Sequence, residues 1–238
     1  MHWEVQLFGD AEDLENLRAA FDEPELSVVS HGDQYFLLSS HFDGLSSASA
    51  VHDKAKEIAT TMSGSARMEL GSLTSIQVGS VHCIRDDGKR DITLFPEPGA
   101  ILLRGFAPTI TVGKTDGTAD IRRPTDRMAK WLPLAQKDPL IAKALRLRNQ
   151  ESLKWGDLYR IYEVIESDTS VTQIINSGWA TKSELQRFKH TANSAAAVGD
   201  DARHGKESTQ PPAKPLTIDE GRALIDNILR RWLEAKAK

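Results

Sequence analysis

Residues 26–40 read LSVVSHGDQYFLLSS, and how this stretch folds sets the fold class. Two runs rich in β-branched, aromatic and aliphatic residues flank His31-Gly32-Asp33, which carries hairpin chemistry. Two antiparallel strands are therefore expected. Upstream, HWEVQLF (2–8) predicts a short strand, and Asp10 is positioned to cap a helix whose Leu14, Leu17 and Phe21 recur at helical spacing. Pro24 is expected to close that unit.

Downstream, Ser46 or Ser47 can cap a second helix. Its apolar stripe is Val51, Ala55, Ile58, Ala59 and Met62, and Gly64 is expected to end it. Strand patterns return in TSIQVGSVHCI (74–84), RDITLF (90–95) and AILLRGFAPTITV (100–112), joined by the turn segments RDDGK and PEPG. The order is β-α-β-β-α-β followed by further antiparallel strands. It predicts a ferredoxin-like or related α+β sheet domain over residues 1–115, a scaffold that serves many functions and specifies none.

GKTDGTADIRRPTD, residues 113–126, is polar and interrupts every periodicity. We place the linker proper at 116–126. Its Gly-Lys-Thr is not a phosphate loop, because Pro108 stands where that motif needs its first glycine. A helical bundle is expected over 127–238. Arg127 to Leu134 and Pro139 to Asn149 read as short helices, and KWGDLYRIYEVIESD places Trp155, Leu158, Tyr159, Tyr162 and Ile165 on one core face. Thr181 with Glu184 and Thr217 with Glu220 form capping boxes. The first opens a helix with Leu185, Phe188, Ala192 and Ala195 on one side. The second opens a stripe of Leu224, Ile225, Ile228, Leu229 and Trp232.

Between these two helices lies FKHTANSAAAVGDDARHG, residues 188–205. His190 and Asn193 are three apart and share a helix face, and Arg203-His204 can fold back across the turn to meet them. Cutting a phosphodiester at a ribose hydroxyl needs a proton acceptor, a proton donor and a cation at the phosphate. His190 and His204 would exchange protons, Arg203 would stabilise the charge on phosphorus, and Asn193 would orient the ribose or phosphate. In the other reading, His190 and Asn193 finish a helix and Arg203 pairs with Asp200 or Asp201. A metal set of His190, Asp200, Asp201 and His204 matches no defined spacing. There is no CxxC, no serine-hydrolase elbow and no dinucleotide fingerprint, so neither a metal nor a cofactor is expected.

The Arg-His-Gly turn, followed by PLTIDEGRALIDNILRRWLEA (215–235), resembles the closing segment of the HEPN superfamily, and the resemblance covers about residues 125–238. It implies a HEPN-like bundle in a homodimer whose paired motifs share one cleft, commonly for metal-independent RNA cleavage in bacterial toxin and defence proteins. His204 matches the motif histidine. Ala197, Val198 and Gly199 occupy the positions where the motif carries its arginine. Two functions therefore stay open: a bundle that binds or cleaves RNA, and a non-catalytic dimerisation and partner-binding protein.

Charge is divided unevenly. Residues 1–120 hold 9 Lys and Arg against 19 Asp and Glu, while residues 121–238 hold 21 against 15. RNA or a nucleotide would meet the basic C-terminal half and a protein partner the acidic N-terminal domain, although opposite charges can equally help two domains dock. No apolar run approaches the ~20 residues of a membrane span. The first residues lack a signal-peptide pattern, and the lone Cys83 fits a reducing compartment. A cytoplasmic location is expected.

Overall fold

A computed structural model describes residues 1–71, 74–95, 110–113, 119–122, 124–150, 152–203 and 210–237. The chain divides into two compact units, Met1–Pro133 and Leu134–Lys238. In the first, β1 (His2–Phe8) leads through α1 (Ala11–Ala20) into β2 (Asp22–Glu23), β3 (Leu26–His31) and β4 (Gln34–Ser39). A single 3₁₀ turn, Ser40–Phe42, precedes α2 (Ala48–Glu69), and β5 (Gln77–Ile84) and β6 (Arg90–Thr93) follow. The strands form one antiparallel sheet in the order β2-β3-β4-β1-β5-β6. β1 is therefore central, with Val5 opposite Leu37 on one side and Val81 on the other.

The hairpin forms where it is expected. His31 pairs with Gln34 and belongs to the strand, so the turn is Gly32-Asp33 alone. Gly32 has φ +62, the positive angle required at the first central residue of a tight hairpin turn. Side chains alternate across β1. Val5 and Leu7 join Leu14 and Leu17 of α1, Leu37, Ile58 and Met62 of α2, and Val81 in one buried core. Asp10 caps α1 and Ser47 caps α2 through its hydroxyl.

Two expectations change. β2 was not apparent in the sequence, and its two residues pair beside Pro24 with Ser27 and Leu26. α2 does not stop at Gly64 but runs five residues further, buried on every side from Thr61 to Met68. Tertiary packing overrides glycine's low helix propensity here. Ser63 ties the buried turn down, donating to the Ala59 carbonyl at 2.8 Å and accepting from the Ile76 amide at 2.9 Å.

The sheet's other face is polar. The Glu4 carboxylate, 8% exposed, meets Arg90 Nη2 at 3.1 Å, His31 Nε2 at 3.4 Å and His2 Nε2 at 3.6 Å. Phe36 is fully buried beside them, 5.1 Å from the His31 ring, 5.0 Å from the His82 ring and 5.8 Å from the Arg90 guanidinium. Ser80 Oγ donates to Gln6 Oε1 at 2.7 Å, so the 2.8 Å contact between Ser80 Oγ and His82 Nε2 is donated by the ring. His82 Nδ1 is left as a buried acceptor without a partner among the described residues. Burial, and after it the Arg90 charge, pull the His82 pKa below its ordinary value.

A separate two-stranded sheet pairs β7 (Ile110–Gly113) with β8 (Ala119–Arg122). β8 falls inside the stretch read as linker, and residues 100–109 of the expected strand before it lie outside the described residues. α3 (Pro124–Lys137) is longer than the expected helix at both ends and contains Pro133, the last residue of the first unit.

The second unit contains α4 (Pro139–Arg148), α5 (Trp155–Asp168), α6 (Val171–Asn176), α7 (Lys182–Ala192), α8 (Ala195–Val198), a 3₁₀ turn at Gly199–Asp201, and α9 (Ile218–Lys236). Both expected capping boxes form: Thr181 with Glu184 opens α7 and Thr217 with Glu220 opens α9. Tyr162, Phe188, Ile225, Leu229 and Trp232 are buried in the core. Arg148 grips Asp226 at 2.7 and 3.0 Å, fixing the end of α4 to α9. Lys236 bridges Asp138 and Asp168 at 3.1 and 2.8 Å, and Trp232 Nε1 donates to Asp168 at 2.8 Å. The end of α9 is thereby anchored to α4 and α5.

Candidate functional site

The stretch 188–205 begins on α7, whose capping box sets where that helix starts. α7 stops at Ala192, earlier than the expected stripe through Ala195. Asn193 ends it, donating Nδ2 to the Lys189 carbonyl at 2.8 Å and leaving a buried Oδ1 unpartnered among the described residues. α8 and the 3₁₀ turn then reverse the chain, and the Arg203 amide donates to the Ala192 carbonyl at 2.8 Å. Arg203 is thus folded back against the end of α7, next to Asn193 in the chain path. His190 is exposed in the last turn of α7, and His204 lies outside the described residues.

The side chain of Arg203 turns to α5. Its guanidinium lies 4.0 Å from the centre of the Tyr159 ring and pairs with Glu163. The carboxylate partner is forty residues away in sequence, whereas the local reading placed it on Asp200 or Asp201. Asp201 instead holds Lys154 at 2.9 Å, and this bond raises the lysine pKa. One turn along α5 the same pattern repeats. Lys189 Nζ lies 4.6 Å from the centre of the Tyr162 ring and donates to Glu166 Oε1 at 3.0 Å, while Tyr162 Oη donates to the same oxygen at 2.8 Å.

These contacts set the protonation of the seam between α5 and α7. Burial pushes the Tyr162 hydroxyl up to about 12, with Lys189 opposing and Glu166 adding to the shift. Burial alone would lower Lys189, but its bonds to Tyr162 and Glu166 raise it overall. Tyr162 therefore stays protonated and Lys189 charged at neutral pH, so neither serves as a proton acceptor. Arg187 is engaged elsewhere, donating to the carbonyls of Lys214 at 2.6 Å and Pro215 at 3.3 Å. The Leu216 amide donates to Thr191 Oγ1 at 3.1 Å, so the proline-rich loop is tied to α7 before α9 begins.

Of the four residues expected at the site, Asn193 caps α7, the Arg203 backbone folds back to the Ala192 carbonyl beside it with its side chain turned to α5, and His190 sits one turn back on an exposed face. The sequence reading placed Tyr159 and Tyr162 on a core face and did not single out Glu163, Glu166 or Lys189. A signal for them existed: a tyrosine followed four residues later by a glutamate, twice, in LYRIYEVIE. Among the described residues no group of three or more His, Cys, Asp or Glu side chains is placed to hold a metal ion. No described helix is long and apolar enough to cross a membrane. Comparison with known protein families, with curated proteins and with solved structures finds no match to this chain.

Proposed function

We propose that the helical unit is a HEPN-like bundle that binds single-stranded RNA at the end of α7 and cleaves it without a metal, as a homodimer, in a cytoplasmic bacterial defence or toxin setting. The sheet unit, in this reading, is a ferredoxin-like sandwich, because the spatial order β3-β4-β1-β5 with helices after β1 and β4 follows that connectivity. Its acidic surface recruits a protein partner. The observation carrying the RNA reading is the fold-back of Arg203 onto the Ala192 carbonyl. That bond brings the backbone of Arg203 to the end of α7, and its guanidinium lies over Tyr159 beside Glu163 on the neighbouring α5. His190 and His204 then act as proton acceptor and donor, Arg203 meets the phosphate, and Asn193 orients the ribose or phosphate.

The test uses the purified full chain, single-stranded RNA and EDTA. Cleavage is expected, and His204→Ala is expected to abolish it with the melting temperature unchanged. If wild-type protein neither cuts nor retards RNA, the RNA reading is overturned.

A second reading, a non-catalytic dimerisation and partner-binding protein, is favoured by a different observation. The Arg203 charge is already on Glu163 and the Asn193 amide is already on the Lys189 carbonyl. Concentration-dependent self-association without RNA binding would support it.

A further inference from the structure

We propose that Glu163 and Glu166 are internal stand-ins for phosphate, holding Arg203 and Lys189 in place until an RNA backbone displaces them. The inference rests on the RNA reading above and adds to it an autoinhibitory contact on α5. Each unit has the same three parts: a tyrosine, a glutamate four residues later on α5, and a cation from α7 or the loop after it. The units are three residues apart, about 4.5 Å along the helix axis, so both carboxylates lie along one strip of α5. Two cations are thus presented side by side to a linear polyanion.

Exposure is what makes the carboxylates exchangeable. Arg203 is 29% and Glu163 41% exposed, and Lys189 and Glu166 are 30% and 33% exposed. Solvent-reaching ion pairs of this kind contribute little net stability, so replacing carboxylate by phosphate costs little at Glu163, and at Glu166 the phosphate must also accept from Tyr162 Oη. The tyrosine rings beneath are buried and do not leave with the carboxylates. Cation–π contact holds both cations over α5 once the glutamates let go. Phosphate also offers arginine a bidentate acceptor.

The experiment measures binding of a labelled single-stranded RNA oligonucleotide to the full chain by fluorescence anisotropy across a salt series. Glu163→Gln keeps an acceptor for Arg203 while removing the charge. It is expected to tighten binding roughly three- to tenfold and to steepen the salt dependence by about 0.7, the increment for one additional phosphate contact on a single strand. Arg203→Ala in the Glu163→Gln background is expected to remove that gain, and Glu166→Gln to act in the same direction. Glu234→Gln is the control, because it takes the same charge from the Arg231–Glu234 pair on α9. If Glu163→Gln and Glu166→Gln bind RNA no more tightly than Glu234→Gln, the gating role is overturned while RNA binding survives. If wild type and all variants fail to bind at low salt, the RNA reading falls and takes the gating role with it.

Discussion

The sheet's polar face and the α5–α7 seam use one trio of groups at two depths. On the sheet, Glu4, Arg90 and Phe36 come together; on the seam, Glu163, Arg203 and Tyr159 do. Glu4 is 8% exposed and gathers an arginine and two histidines, because a buried carboxylate must recover from protein groups what it loses from water. Glu163 is 41% exposed and meets one cation among the described residues, Arg203, water being able to supply the remainder. The first arrangement is bound into the sheet and is expensive to disturb. The second can change partner, which is what a ligand-responsive site requires.

The largest effect should come from the sheet face. Phe36→Ala removes the fully buried ring against which His31, His82 and Arg90 all rest, and should cost about 3–5 kcal/mol, read by urea denaturation. A loss below about 1 kcal/mol would mean that the face is not a packed core and would dissolve the contrast with the seam.

A smaller effect should appear with pH. The His82 pKa is lowered in the folded state by burial, then by Arg90, with Glu4 opposing and His31 adding to the lowering. The unfolded chain therefore takes up a proton first as pH falls below about 6.5. The stability from His82 is fully present above that pH and is lost as pH falls toward the lowered folded value. His82→Gln should flatten this part of the stability profile, and an unchanged profile would remove burial as the cause.

The smallest effect should be at the seam. Glu163→Gln should change unfolding free energy by less than about 1 kcal/mol, the range for solvent-reaching pairs. A loss comparable to that of Phe36→Ala would show that Glu163 is as structural as Glu4, and the two clusters would no longer differ in kind.

Much of the local fold was legible. The hairpin at 26–40, the caps Asp10 and Ser47, the boxes Thr181/Glu184 and Thr217/Glu220, and the aromatic face of α5 all follow from interactions within about four residues. Gly64 shows where that range ends, and Asn193 stays within it. Gly64 carries the signal of a helix stop, yet the buried packing around Ser63 and Ile76 keeps α2 going. Asn193 carries the signal of a cap and is one, which shortens α7 before Ala195.

Of the candidate site, one reading of the sequence paired Arg203 with its nearest acids, Asp200 or Asp201, and the structure pairs it with Glu163. Glu163 lies forty residues upstream, and nothing in the local pattern selects it over Asp200 or Asp201. The sequence by itself determined the α+β composition, the capped starts of α1, α2, α7 and α9 and the buried aromatic face of α5, because backbone hydrogen bonding and side-chain periodicity are short-range. Only the tertiary structure decided that β1 lies between β4 and β5, that Glu4 of β1 meets His31 of β3 and Arg90 of β6, and that α5 supplies the acids facing Arg203 and Lys189. Those choices depend on which distant segments are brought within a few ångströms, and that is set by burying the apolar faces together rather than by any one stretch of chain.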